Sequence, residues 1–135
     1  MPEGKILIVD DEPDVTAYLT AVLANAGYTA YRAATADEGF ELLEVIQPDA
    51  VCLDIMMPGK LGLTLYAKLR KDERFKDIPV ILISGVASEE EFEFKKLLPD
   101  ESLPPPQEYL EKPINRAQFL TIIGQLLKQN KKADC

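Results

Sequence analysis

The chain has 135 residues, of which 47% are hydrophobic and 28% charged, a balance typical of one globular domain. Its formal net charge of −8 disfavours nucleic acid and anionic membranes as direct partners, because both repel a net anion. The sequence contains no histidine, which excludes histidine-based catalysis, histidine metal ligands and a phosphohistidine on this chain.

Short apolar runs alternate with amphipathic stretches along the chain, a pattern typical of a parallel sheet covered by helices on both faces. Strands are predicted at 5–9, 28–33, 50–53, 79–83 and 109–111. Helices are predicted after Pro13, after Thr35, and over about 63–70, 88–98 and 115–128. Gly27 is a natural stop for the first helix, and Thr35 with Glu38 forms a capping-box pattern at the start of the second. The order of the elements predicts a (βα)₅ domain.

The predicted domain covers residues 1–128, and a flexible tail is predicted over 129–135. The tail is short, mostly polar and follows the last apolar positions of the final helix. Because the chain ends soon after that helix, we expect a stand-alone protein unless the sequence is a fragment of a longer one.

The two cysteines do not suggest a disulfide framework. Cys52 lies in an apolar run and Cys135 is the last residue, so we expect a reducing compartment, the cytoplasm. The N-terminus leads directly into a short strand, and no apolar run approaches the roughly 20 residues needed to span a bilayer. Neither secretion nor membrane insertion is expected.

Polar residues follow four of the five predicted strands. Asp10 and Asp11 follow the first strand, and Asp54 follows the third. Ser84 follows the fourth strand and Lys112 the fifth. The carboxyl ends of parallel strands share one edge of an open sheet, and ligands bind at that edge. Each residue alone has an ordinary structural explanation, such as helix capping, but their joint occurrence at strand ends favours a functional site.

The chemistry of these groups points to phosphoryl transfer. Three carboxylates in one crevice repel one another, and a hard divalent cation relieves that repulsion. Oxygen ligands suit Mg²⁺, for which Mn²⁺ can substitute. One carboxylate can then attack phosphorus, while Lys112 and Ser84 stabilise the charge on the transferred group. The inventory predicts an acyl phosphate on an aspartate.

Four motifs resemble those of the receiver domains of two-component response regulators, in particular the chemotaxis-type regulators that stand alone. They are Val-Asp-Asp-Glu at 9–12, Leu-Asp-Ile-Met-Met-Pro-Gly at 53–59, Ile-Ser-Gly at 83–85 and Glu-Lys-Pro at 111–113. The similarity covers residues 4–128. It implies an α/β, doubly wound, five-stranded parallel sheet of flavodoxin-like type with strand order 2-1-3-4-5.

The resemblance also implies which residues bind the metal ion and the phosphoryl group. Asp54 would be the phosphoacceptor. Asp11 and Asp54 would bind Mg²⁺ directly, together with the backbone carbonyl of Met56, and Asp10 would bind it through water. We expect Glu12 mainly to complement the dipole of the first helix.

Three further residues take roles from the same resemblance. Ser84 would be the switch hydroxyl, Lys112 the cation that pairs with the phosphoryl group, and Tyr109 the switch aromatic. The segment between Ser84 and Lys112 is longer than usual for the family, with the extra residues expected within 99–107.

The implied function is a cytoplasmic signalling switch in a phosphorelay. The domain would accept a phosphoryl group from a sensor histidine kinase or a phosphotransfer protein and would catalyse only its own phosphorylation and dephosphorylation. Phosphorylation would change the surface of the fourth helix, fifth strand and fifth helix, which a downstream target protein binds. A monomer or weak homodimer is expected.

Two alternatives remain. One is a pseudo-receiver, an unphosphorylated scaffold for protein binding, although such domains usually lose the acceptor or the acid pair that this sequence retains. The other is a phosphohydrolase of the haloacid-dehalogenase type. That class needs a second aspartate two residues after the nucleophile, where this sequence has Met56, which cannot transfer a proton.

Overall fold

A five-stranded parallel sheet forms the centre of the computed structural model, which describes residues 4–54, 61–84, 107–111 and 113–133. The described strands are β1 Lys5–Val9, β2 Thr29–Ala33, β3 Ala50–Asp54, β4 Val80–Ser84 and β5 Glu108–Glu111. Their order is β2-β1-β3-β4-β5 and every neighbouring pair is parallel. The predicted doubly wound sheet and its strand order are confirmed.

Four helices lie in the described residues. They are α1 Pro13–Asn25, α2 Ala36–Ile46, α3 Leu61–Lys71 and α4 Arg116–Ala133. The helix predicted over 88–98 lies outside the described residues. None of the four helices is both long and apolar enough to cross a membrane.

The two faces of the sheet bury separate sets of side chains. Along β1, Leu7 and Val9 pack with residues of α2 and α3, whereas Ile6 and Ile8 pack with residues of α1 and α4. Alternation along a strand sends successive side chains to opposite faces, so a strand covered on both faces is apolar throughout. Cys52 is one of these buried residues, and burial raises the pKa of its thiol to about 12.

Local signals in the sequence set the helix ends. The side chain of Thr35 accepts a hydrogen bond from the backbone N–H of Glu38 (3.1 Å), as the capping pattern predicted. Helix α1 begins at Pro13. Proline has no backbone N–H, and the N–H groups of the first turn have no partner within the helix, so proline at this position costs no hydrogen bond. Gly27 adopts a left-handed conformation (φ 96°) just beyond the end of α1, which glycine does without steric cost.

Helix α4 continues to Ala133, although the sequence predicted an end near Lys128. Residues 125–133 contain neither glycine nor proline, so nothing in the local sequence stops the helix. The domain boundary at 128 stays a prediction.

A buried arginine holds the amino ends of β4 and β5. The guanidinium of Arg70, in α3, donates hydrogen bonds to the backbone carbonyls of Lys76 (3.0 Å) and Ile78 (2.7 Å). It also donates to the hydroxyl of Tyr66 (3.2 Å) and to Oε1 of Gln107 (2.8 Å). Arg70 is only 5% exposed, and its hydrogen-bond acceptors in the described part of the chain are all uncharged oxygens. We call these groups the arginine clamp.

Gln107 extends the clamp into the sheet. Its side-chain oxygen accepts a second hydrogen bond, from the backbone N–H of Val80 (2.7 Å), and its own N–H donates to the carbonyl of Val80 (3.1 Å). The guanidinium of Arg70 and the side-chain amide of Gln107 therefore join helix α3 to the starts of β4 and β5.

Candidate functional site

Two aspartates lie at the carboxyl edge of the sheet, on neighbouring strands. Asp54 is the last residue of β3, and Asp10 directly follows β1. The strands pair in parallel, with Val9 beside Leu53, so Asp10 and Asp54 leave the sheet side by side. Both are buried, at 2% and 1% exposure. The pairing register of β1 and β3 therefore brings two carboxylates together in a buried position, where a charge has a high desolvation cost.

The loop between β1 and α1 is fixed by Asp10. Its backbone N–H donates to the carbonyl of Ala33 in β2 (3.0 Å), and its Oδ1 accepts a hydrogen bond from the N–H of Glu12 (2.9 Å). A side chain that bonds the backbone two residues further on produces a tight local turn. This turn brings Glu12 back toward the end of β3.

The result is a group of three carboxylates, which we call the acidic cluster: Asp10, Glu12 and Asp54. One carboxylate oxygen from each lies within 4.8 Å of the others. Asp10 and Asp54 are buried and Glu12 is exposed, so the cluster has a closed base and an open mouth. An all-oxygen, anionic donor set of this kind suits a hard divalent cation such as Mg²⁺. The residues present therefore fit the expected metal ion.

Asp11 is not one of the three residues of this group. It is exposed and, together with Asp10, Arg32 and Glu38, lines a pocket of about 310 Å³. The direct contact of Asp11 with Mg²⁺ stays a prediction. The described geometry instead brings in Glu12, which sequence reasoning assigned mainly to the helix dipole.

The remaining predicted site residues are only partly described. Asp54 pairs with Ile83 across β3 and β4, so the backbone of Ser84 lies one residue beyond Asp54 on the adjacent strand. Ser84 in turn pairs with Glu111, the residue before Lys112. Met56, Lys112 and the side chain of Ser84 lie outside the described residues, and their roles stay predictions.

Tyr109 is half-buried in β5, where it pairs with Leu82 of β4. Its ring packs against the apolar cluster that contains Tyr66 and Phe75, and its hydroxyl oxygen is buried. The tyrosine therefore points inward, toward the side of the sheet covered by α2 and α3.

The fold and the site define a class of protein. A doubly wound parallel sheet with buried carboxylates at the carboxyl ends of adjacent strands is an α/β domain of the flavodoxin-like type, and the acidic cluster at its edge suits a cation. The family model for the response regulator receiver domain matches residues 6–124, and the chain belongs to that family.

Individual relatives agree with this assignment. The chain is 32% identical over 125 residues to the DNA-binding dual master transcriptional regulator RpaA of Synechocystis sp., covering 93% of this chain and 49% of that protein. It thus spans about half the length of that regulator. It is also 32% identical over 124 residues to Protein PilH of Pseudomonas aeruginosa, covering 92% of this chain and 98% of that protein. The solved CheY-like response regulator receiver domain protein of Methanospirillum hungatei JF-1 is 28% identical, with a TM-score of 0.82 and coverage of 98% and 99%.

The family membership confirms the resemblance predicted from the four motifs. The chain is a receiver domain of response regulators, a signalling module of phosphorelays. Receiver domains interact with histidine kinases and downstream effectors. The haloacid-dehalogenase alternative is not favoured.

Proposed function

We propose that Asp54 is the phosphoacceptor of this receiver and that Mg²⁺ binds beside it, at the edge of the sheet where the acidic cluster lies. The observation that carries the proposal is the burial of Asp54 within 4.8 Å of two other carboxylates at the carboxyl edge of the sheet. The metal ligands proposed from the resemblance are Asp11, Asp54 and the carbonyl of Met56, with Asp10 acting through water. When bound, Mg²⁺ would neutralise the carboxylates and the incoming phosphoryl group.

The chemistry proposed for the chain is direct displacement. A carboxylate oxygen of Asp54 forms a bond to phosphorus while the bond from phosphorus to the donor breaks, leaving an acyl phosphate on the protein. The ammonium of Lys112 and the hydroxyl of Ser84 are proposed to stabilise the transferred oxygens. Burial of Asp54 supports this role, because a nucleophile shielded from bulk water reacts with little competition from hydrolysis.

The proposed phosphodonor is a sensor histidine kinase or a phosphotransfer protein. The phosphorylated domain is proposed to pass the signal to a downstream target protein in the cytoplasm. Movement of Ser84 toward the phosphoryl group would leave space for Tyr109 to change its packing, a two-state rearrangement biased by local charge. Amide exchange in the presence of beryllofluoride should change between 84 and 112. Unchanged exchange across that stretch would contradict the proposed switch.

Labelling with acetyl phosphate tests the acceptor. Wild type should gain the mass of one phosphoryl group in a Mg²⁺-dependent manner, whereas Asp54→Asn should not, because an amide is not a nucleophile of this kind. Asp14→Asn, which removes the same charge from an exposed position in α1, should label like wild type. Equal labelling of Asp54→Asn would refute the assignment, and no labelling of wild type would favour the pseudo-receiver scaffold.

A further inference from the structure

Helix α1 holds the loop that joins β5 to α4. The hydroxyl of Tyr18, in α1, donates a hydrogen bond to the backbone carbonyl of Ile114 (3.3 Å). Ile114 lies in the loop, between the end of β5 at Glu111 and the start of α4 at Arg116. A side chain from a helix that is distant in the sequence therefore fixes a carbonyl of this loop.

The stability of the fold does not require this hydroxyl. Tyr18 is 45% exposed, and a hydroxyl in such a position can bond water almost as well as a carbonyl. Its ring lies beside Pro113 and Ile114, with which it lines a largely apolar pocket of about 590 Å³. The ring therefore supplies the packing, and the hydroxyl mainly determines where the loop backbone lies.

The loop is also held where it enters α4. Oδ1 of Asn115 accepts a hydrogen bond from the N–H of Gln118 (2.9 Å), and the Asn115 carbonyl accepts one from the N–H of Phe119 (2.9 Å), so Asn115 caps the helix. Pro113, just before Ile114, has a φ angle that its ring restricts. The chain after position 112 is therefore short, stiff and tied to two helices.

We propose that Tyr18 is a positioning residue for phosphoryl transfer: its hydroxyl holds the chain that follows Lys112 and so restricts where the Lys112 ammonium can lie. The inference rests on the proposed function, in which that ammonium stabilises the transferred oxygens. On the other side of Lys112, Glu111 pairs with Ser84 in the sheet. The backbone is thus held before and after the lysine, and an error of about 1 Å in the place of such a group can slow a reaction about 100-fold.

Tyr18→Phe tests the proposal, because it keeps the ring and removes only the hydroxyl. Labelling of the full chain by acetyl phosphate with Mg²⁺ should slow by about three- to tenfold. The control is Tyr31→Phe, which removes a hydroxyl from β2, where the ring packs on the side of the sheet covered by α2 and α3. It should label like wild type. Acetyl phosphate does not dock as a protein does, so slower labelling of Tyr18→Phe is not a lost contact with a partner.

A double-mutant cycle with Lys112→Ala separates positioning from a general effect on the fold. If Tyr18 acts through Lys112, Tyr18→Phe should slow labelling of the wild type and leave the rate of Lys112→Ala unchanged. Equal slowing in both backgrounds would overturn the proposal. A wild-type rate in either single variant would overturn it as well.

Amide exchange provides a measurement that does not depend on labelling. In the unphosphorylated protein, exchange over 114–119 should be faster in Tyr18→Phe than in wild type or Tyr31→Phe, and unchanged exchange would contradict the role of Tyr18. Thermal unfolding midpoints should be closely similar for the three proteins, because the fold does not depend on this hydroxyl. A large fall in the midpoint of Tyr18→Phe alone would make the role structural and overturn the proposal.

Parallel labelling of Asp54→Asn separates failure of this inference from failure of the proposed function. Labelling that requires Asp54 but not the hydroxyl of Tyr18 would overturn the inference alone. Labelling of Asp54→Asn at the wild-type rate would overturn both.

Discussion

The two edges of the sheet bury charge in opposite ways. At the amino edge, Arg70 is surrounded by uncharged oxygens that its guanidinium reaches at 2.7 to 3.2 Å. At the carboxyl edge, Asp10 and Asp54 are buried as deeply as Arg70, but their neighbours in the acidic cluster carry the same charge. The first arrangement surrounds a charge with polar groups of the chain itself, whereas the second brings like charges together, as cation sites in proteins do.

This difference separates a structural charge from a functional one. A buried charge is costly unless polar groups of the protein replace the water around it. The N–H groups of the Arg70 guanidinium achieve this within the chain, because they donate hydrogen bonds to carbonyl, hydroxyl and amide oxygens. A group of carboxylates within 4.8 Å of one another raises its own energy and so gives binding free energy to a cation. The sign and number of the neighbouring groups, more than burial itself, indicate which edge binds a ligand.

The largest expected effect is at the amino edge. Arg70→Met keeps an unbranched apolar stem but leaves the carbonyls of Lys76 and Ile78 without their donor, so the free energy of unfolding should fall by about 2–4 kcal/mol. Urea unfolding monitored by circular dichroism measures this loss. The control is Arg74→Met, since Arg74 is exposed and pairs with Asp72 and Glu44 at the surface. A comparably large loss in the control would show that the clamp has no special role.

Metal binding should separate the two aspartates of the β1–α1 loop. If Asp11 binds Mg²⁺ directly and Asp10 binds through water, Asp11→Ala should weaken affinity by about 10- to 100-fold and Asp10→Ala by less. Calorimetric titration with Mg²⁺ or Mn²⁺ provides the measurement. The reverse order would assign the direct contact to Asp10, which lies in the acidic cluster, and would correct the role implied by the family resemblance.

The smallest expected effect concerns the lifetime of the phosphoryl group. Met56 and Val86 follow the proposed acceptor and the proposed switch hydroxyl by two residues in the sequence. From the family resemblance we expect both positions to flank the attacking water. Neither side chain can orient water by a hydrogen bond, so spontaneous dephosphorylation should be slow. Met56→Asn should speed it by about threefold, followed as loss of the labelled species after the donor is removed. Equal rates would show that residue 56 does not control hydrolysis.

Much of the fold was predictable because local and long-range signals agree. The apolar runs predicted the strands, Thr35 and Gly27 marked helix ends, and the family resemblance implied the strand order of the sheet. The convergence of Asp10 and Asp54 also followed, since parallel strands place their carboxyl ends at one edge.

Two features escaped prediction for physical reasons. The direction of Glu12 depends on a turn closed by the side chain of Asp10, a contact that residue spacing alone does not specify. The burial of Arg70 depends on Gln107, which is 37 positions away, and on carbonyls in a loop. A sequence shows Arg70 only as one of several basic residues near the end of an amphipathic helix.

The double hydrogen bond to Gln107 also bears on how β5 joins the sheet. The chain enters β5 at Gln107, where it is tied at once to Val80 of β4 and to Arg70 of α3, and the two strands are then held in register by their own ladder. The position of this strand is therefore set by contacts within the sheet and with α3.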